Sequence, residues 1–193
     1  MNTHLPPTNA SEVQRRASAA VGTAVVATAN PAASIAAVNV LRQGGSAADA
    51  VVAAQAVLCL VEPHASGFGG GTVVVWHDSK TGASGVMDGL ACAPSQVPTR
   101  LESDMAGQRI PRERALVGGW TVGVPGTVKT LARLHTKFGL KPWGGLFDAA
   151  RELAYSGFSL PPYLVKTLRE IGSMQDEPLA LNVYGQEIGR AHV

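Results

Sequence analysis

Aromatic residues are scarce in this chain, at 5% of 193 positions, and charged residues make up only 16%. Hydrophobic residues reach 46%, so a sizeable core can form, but Ala, Val and Leu must fill it. The formal net charge is only +2, and no Lys/Arg cluster with interleaved aromatics occurs. Nucleic acid is therefore not an expected partner. Two cysteines, Cys59 and Cys92, fit neither a zinc spacing nor a disulfide framework. Cys59 lies in an apolar run and reads as a buried small hydrophobe. His4, His77, His135 and His192 share no ligand spacing, so no metal is expected. Long hydrophobic runs are missing too. The longest, Ala50 to Val61, is interrupted by Gln55 and stops at Glu62-Pro63, short of the ~20 residues a bilayer needs. Trp76, Trp120 and Trp143 read as packing anchors.

The first residues, polar and carrying Pro6-Pro7, read as a disordered lead-in over 1–20. Arg15-Arg16 ahead of "ASAAVGTAVVATA" has the outline of a twin-arginine export signal. Its Thr and Gly content makes a poor hydrophobic region, and the stretch reads better as mature structure. Localisation stays open on this ground, tipping toward the cytoplasm.

"VGTAVVATA" (Val21 to Ala29) reads as a strand through its β-branched residues. Asn30-Pro31 then supplies an N-cap and a first-turn proline. The helix that follows carries Ile35, Val38 and Leu41 at spacing three, and Gly44-Gly45 ends it. Ser46 starts the next helix, with Asp49 three residues on as a near-capping box. From Ala47 to Val61 only Asp49 and Gln55 are polar, which predicts a helix covered on nearly all sides. "TVVVW" and "SGVMD" around "HDSKTG" predict a β-hairpin. Ala91 to Gly119 reads as an irregular surface excursion. Three helices follow: one with Val128, Leu131, Leu134 and Phe138 inward, one with Leu146, Ala150 and Leu153, and one from Pro161-Pro162 with Leu164, Leu168 and Ile171.

Between the buried helix and the hairpin stands "EPHASGFGGGTVVVW", Glu62 to Trp76. A dinucleotide fingerprint needs its glycines between a strand and a helix, whose N-terminus holds the pyrophosphate. Here the order is helix then strand, Thr72 stands where the last glycine belongs, and no P-loop lysine follows. A phosphate cradle is excluded on that order. The remaining uses of glycine are positive φ and close backbone approach, and a helix-to-strand reversal in a packed interior is expected to use both. The bend is either a tight structural turn or a wall lending shape to a cleft.

These residues carry a resemblance. The helix ending "LRQGG", the "AADAVVAA" helix, "VEPHASGFGGG" and the hairpin ending at Asp88 resemble the N-terminal region of the γ-glutamyltranspeptidase family. "VGVPGTVKTLARLHTKFGLKPWGGLFDAARELAYSGF" is similar to a second block of it, so the likeness runs from about Val21 to about Leu181. It implies an α+β fold, part of the four-layer αββα sandwich of N-terminal-nucleophile hydrolases, mostly helical in this portion with a β-hairpin. Members are precursors that cut themselves into a large and a small subunit. The cut frees a threonine whose hydroxyl attacks a γ-glutamyl amide, with its own α-amino group as base. The acyl group then passes to water, an amino acid or a peptide, without metal or organic cofactor.

That threonine opens the small subunit, so the resemblance places no catalytic residue in this chain. The chain resembles the start of the large subunit (residues 21–186), and its expected partner is the small-subunit portion of the same precursor. About three strands are legible, too few for two packed sheets. Residues 187–193 are expected to be a non-native tail: "EIGRAHV" matches nothing in the family and is what the adapter sequence AG-ATC-GGA-AGA-GCA-CAC-GTC encodes after a G. The family places an arginine two residues after the hairpin's aspartate, where it grips the substrate's α-carboxylate. Here Asp88-Gly89-Leu90 puts leucine there, and losing such a fork costs ~1.5–3 kcal/mol. Arg100, Arg112 and Arg114 in the irregular segment are the candidates to swing in instead, and nothing in the sequence places them there. A related amidase or acylase with another acyl pocket is one alternative, and a non-catalytic degenerate member is another. Glu62 and His64, flanking the bend, and Asp88, ending its strand, are the remaining cleft candidates.

Overall fold

A computed structural model describes residues 23–95, 106–111 and 122–172. The lead-in over 1–20, the tail over 187–193, Trp120, most of the 91–119 excursion and the side chains of Leu168 and Ile171 lie outside the described residues.

Helix α1 (Pro31–Arg42) starts as the sequence predicts: Asn30 Oδ1 accepts from Ala32 N at 3.0 Å, and Pro31 takes the first helical position. It ends in a Schellman motif, with Gly44 N donating to Leu41 O and Gly45 N to Val40 O. Gly44 has φ +81°, a conformation that costs glycine little. Helix α2 (Ala47–Val61) follows at once. Ser46 Oγ accepts from Asp49 N at 3.1 Å, and Asp49 Oδ2 accepts from Ser46 N at 2.8 Å, a complete capping box.

The two helices close on small side chains. Ala33, Ala36 and Ala37 of α1 cluster with Ala50, Ala54, Val57 and Val61 of α2. The inward face of α1 is therefore alanine, and Ile35, expected among its apolar contacts, is 60% exposed. Close helix–helix approach selects the smallest residues and turns the longer one outward. Farther along, Val52 of α2 packs with Leu131 and Leu146. α2 is thus the axis of both clusters, with nine of its fifteen residues buried.

Strands β1 (Thr72–Asp78) and β2 (Ala83–Gly89) form an antiparallel hairpin in register Thr72↔Gly89 through Asp78↔Ala83. Asp78 shapes its tip, accepting from Lys80 N and Thr81 Oγ1, while Gly82 sits at φ +70°. Trp76 lies across its cross-strand partner Gly85, where a Cβ would come within 2.7 Å of the indole. Its ring meets Phe138 at 4.9 Å, with Lys137 Nζ 4.0 Å above it. The opposite face exposes Val73, Val75 and Val86. The strand expected over 21–29 is absent among the described residues: 23–29 is irregular, and the sheet has two strands. β-branched composition gave that stretch the propensity, but no neighbouring edge supplies a ladder. One isolated bridge, Cys92↔Val124, joins the chain on either side of the excursion.

Helix α3 (Thr127–Phe138) buries Thr127, Thr130, Leu131 and Leu134. Val128, expected inward, is 47% exposed. The end of β2 lies so close that a Cβ on Gly89 would meet the Thr130 side chain, which brings the threonines inward and rotates Val128 out. The next helix divides after Phe147 into a 3₁₀ turn (Trp143–Phe147), which contains Gly144-Gly145, and α4 (Asp148–Ser156). Leu146 is buried; Ala150 and Leu153 pack half-buried on the α1–α2 cluster. Helix α5 (Pro162–Gly172) contributes buried Leu164.

Asp49 ties the halves together. Fully buried, its Oδ2 also accepts from Leu140 N at 2.9 Å and Lys141 N at 3.2 Å. Its Oδ1 lies 3.5 Å from His135 Nε2. Burial pushes the carboxyl pKa up, but the hydrogen bonds from Ser46, Leu140 and Lys141 outweigh it and hold it below the ordinary 3.8.

Candidate functional site

Residues 62–71 carry the chain from α2 to β1. Glu62 N donates to Leu58 O as α2 ends, and Glu62 O accepts from Ala65 N and Ser66 N. These bonds coil the chain once more and set His64 beside Glu62, Nε2 to Oε2 at 3.3 Å. Glu62 Oε1 accepts from Asn30 Nδ2 at 3.2 Å, so the cap of α1 braces the pair. The His64 ring meets Tyr163 at 5.0 Å in a tilted contact, and its Nδ1 is buried without a hydrogen-bond partner.

From Gly67 the chain alternates. Gly67, Gly69 and Gly71 are exposed, while Phe68 and Gly70 turn inward. Phe68 packs against the Val52–Leu131–Leu146 cluster and meets Phe147 at 6.2 Å. Gly70 O accepts from Gly126 N at 3.0 Å and Thr127 N at 3.3 Å, pinning the start of α3 to the bend. A Cβ on Gly71 would lie 2.7 Å from Leu90 Cα and Ala91 N, so the chain after β2 runs directly against it. None of these glycines has positive φ. At Gly69 a Cβ would meet nothing within 4 Å, and at Gly67 and Gly70 only atoms 3.9 to 4.0 Å away. The expectation that the bend uses both properties of glycine is thus corrected. Close approach explains Gly71, and positive φ explains none of them. The exposed glycine edge faces open space.

That space is a cleft of about 480 Å³ walled by the 63–72 segment, Gln55 of α2 and Thr127 of α3. Thr127 is 1% exposed, and its Oγ1 has no hydrogen-bond partner. Among the described residues, the N–H groups of Gly67, Gly69 and Gly71 make no hydrogen bond. The lining is polar and small, with no carboxylate among its residues.

Of the sequence-derived candidates, Glu62 and His64 come together, and His64 lines the cleft. Asp88 and Leu90 form a second pair: Leu90 N donates to Asp88 Oδ1 at 3.0 Å, and Leu90 is 57% exposed. The backbone contact of Leu90 with Gly71 links the two pairs. Arg100, Arg112 and Arg114 lie outside the described residues. Sequence reasoning missed Thr127, Gln55 and Asn30. The Pro125-Gly126-Thr127 start of α3 was the available signal, since a helix beginning on Gly-Thr offers no side-chain cap and needs a backbone partner. Among the described residues no three metal-type side chains cluster, and no helix is long and apolar enough to cross a membrane.

Comparison with known proteins converges on one family. Its profile, described as γ-glutamyltranspeptidase, matches residues 33–191. A glutathione hydrolase proenzyme of Bacillus subtilis is 34% identical over 160 residues, covering 83% of this chain and 27% of that protein. Among solved structures, Helicobacter pylori γ-glutamyltranspeptidase superposes with a TM-score of 0.77 at 28% identity, covering 86% of this chain and 47% of that one. The Pseudomonas nitroreducens enzyme does so at 0.78 and 26%, covering 86% and 49%. The chain therefore spans about a quarter of that curated relative's length.

Proposed function

The chain belongs to the γ-glutamyltranspeptidase family, and from that premise we propose that it forms the N-terminal part of the large subunit of a self-cleaving proenzyme. The complete protein cleaves γ-glutamyl amides such as glutathione and passes the acyl group to water, amino acids or peptides. The carrying observation is the match to a glutathione hydrolase proenzyme over 83% of this chain but only 27% of that protein. The nucleophilic threonine belongs to the remaining length, which is also this chain's partner.

In that reaction this chain supplies walls and positioning. Glu62 holds His64 at the cleft, Asp88 fixes the turn that carries Leu90, and the glycine bend joins the two pairs. No catalytic group comes from here. One observation favours a second reading, a related amidase of different acyl specificity: leucine stands at the carboxylate-gripping position.

The test is to express the complete reading frame, follow its conversion into two chains, and assay release from a γ-glutamyl anilide. Self-cleavage with γ-glutamyl release is the expected result. Self-cleavage with release only from other acyl anilides would move the function to the second reading, and absence of both would overturn the enzymatic reading.

A further inference from the structure

We draw no further inference here: the strongest candidate, the cleft between the 62–71 bend and the start of α3, where His64 Nδ1 and Thr127 Oγ1 are buried without hydrogen-bond partners, belongs to the site already described, and nothing in the structure shows what fills it.

Discussion

Replacing Asp49 by alanine removes more than a helix cap. An N-terminal capping interaction is worth ~1 kcal/mol on its own. Oδ2 also accepts from Leu140 N and Lys141 N, and a buried amide left unpaired costs roughly 1–3 kcal/mol. Because the three bonds share one oxygen they do not add fully, which puts the loss at about 3–5 kcal/mol, in the range for breaking a buried charged network. Urea denaturation of the complete protein reads it as a lower midpoint at unchanged slope. Amide hydrogen exchange at Leu140 and Lys141 reads it locally. A loss near 1 kcal/mol, with those amides still protected, would refute the long-range role and leave only the cap. The acid dependence carries a sign as well. Asp49 has a folded pKa below the ordinary 3.8, so its contribution is full above that value and disappears as pH falls through the lowered one. The stability gap between wild type and Asp49→Asn should therefore be widest at neutral pH and shrink below pH ~4; a gap that widens in acid would contradict this.

Gly71→Ala should destabilise by ~1–3 kcal/mol, because its Cβ would press on Leu90 and Ala91 backbone rather than on a movable side-chain end; thermal denaturation beside Gly69→Ala checks it, with equal midpoints counting against it. A thiol reagent at pH 8 should label exposed Cys92 well before Cys59, whose pKa burial raises against the Gln55 hydrogen bond; peptide mass spectrometry would show the reverse order if the burial is wrong. Residues 1–193 expressed alone should aggregate or remain molten without amidase activity, since Val73, Val75 and Val86 stay uncovered; a monomer with a cooperative thermal transition would refute that.

Legibility followed locality. Asn30, Gly44-Gly45 and the Ser46–Asp49 box act within a few residues, and their sequence signals match the caps that form. The hairpin was legible for the same reason. What periodicity could not supply was the phase of α1 or the whole inward face of α3, where it placed Leu131 and Leu134 correctly. Alanines of α1 and threonines of α3 face inward because neighbouring backbones come close, a tertiary fact that demotes Ile35 and Val128 to the surface. The predicted 21–29 strand failed likewise, since propensity without an adjacent edge makes no ladder. At the cleft, His64, with Glu62 beside it, could be singled out from its position beside the glycines. Thr127 could not, because the bonds from Gly126 N and Thr127 N to Gly70 O bring it there.

Asp49 also separates two moments in the life of the chain. Its bonds with Ser46 can form as soon as α2 leaves the ribosome, whereas Leu140 lies 91 residues downstream. At roughly 5–20 residues per second, synthesis takes about 5–18 s to deliver it. During that interval the α1–α2 hairpin stands with one carboxylate half-engaged, and it becomes a fixed part of the domain when the loop after α3 arrives. The same side chain that starts a helix early thus registers, seconds later, that α3 has docked.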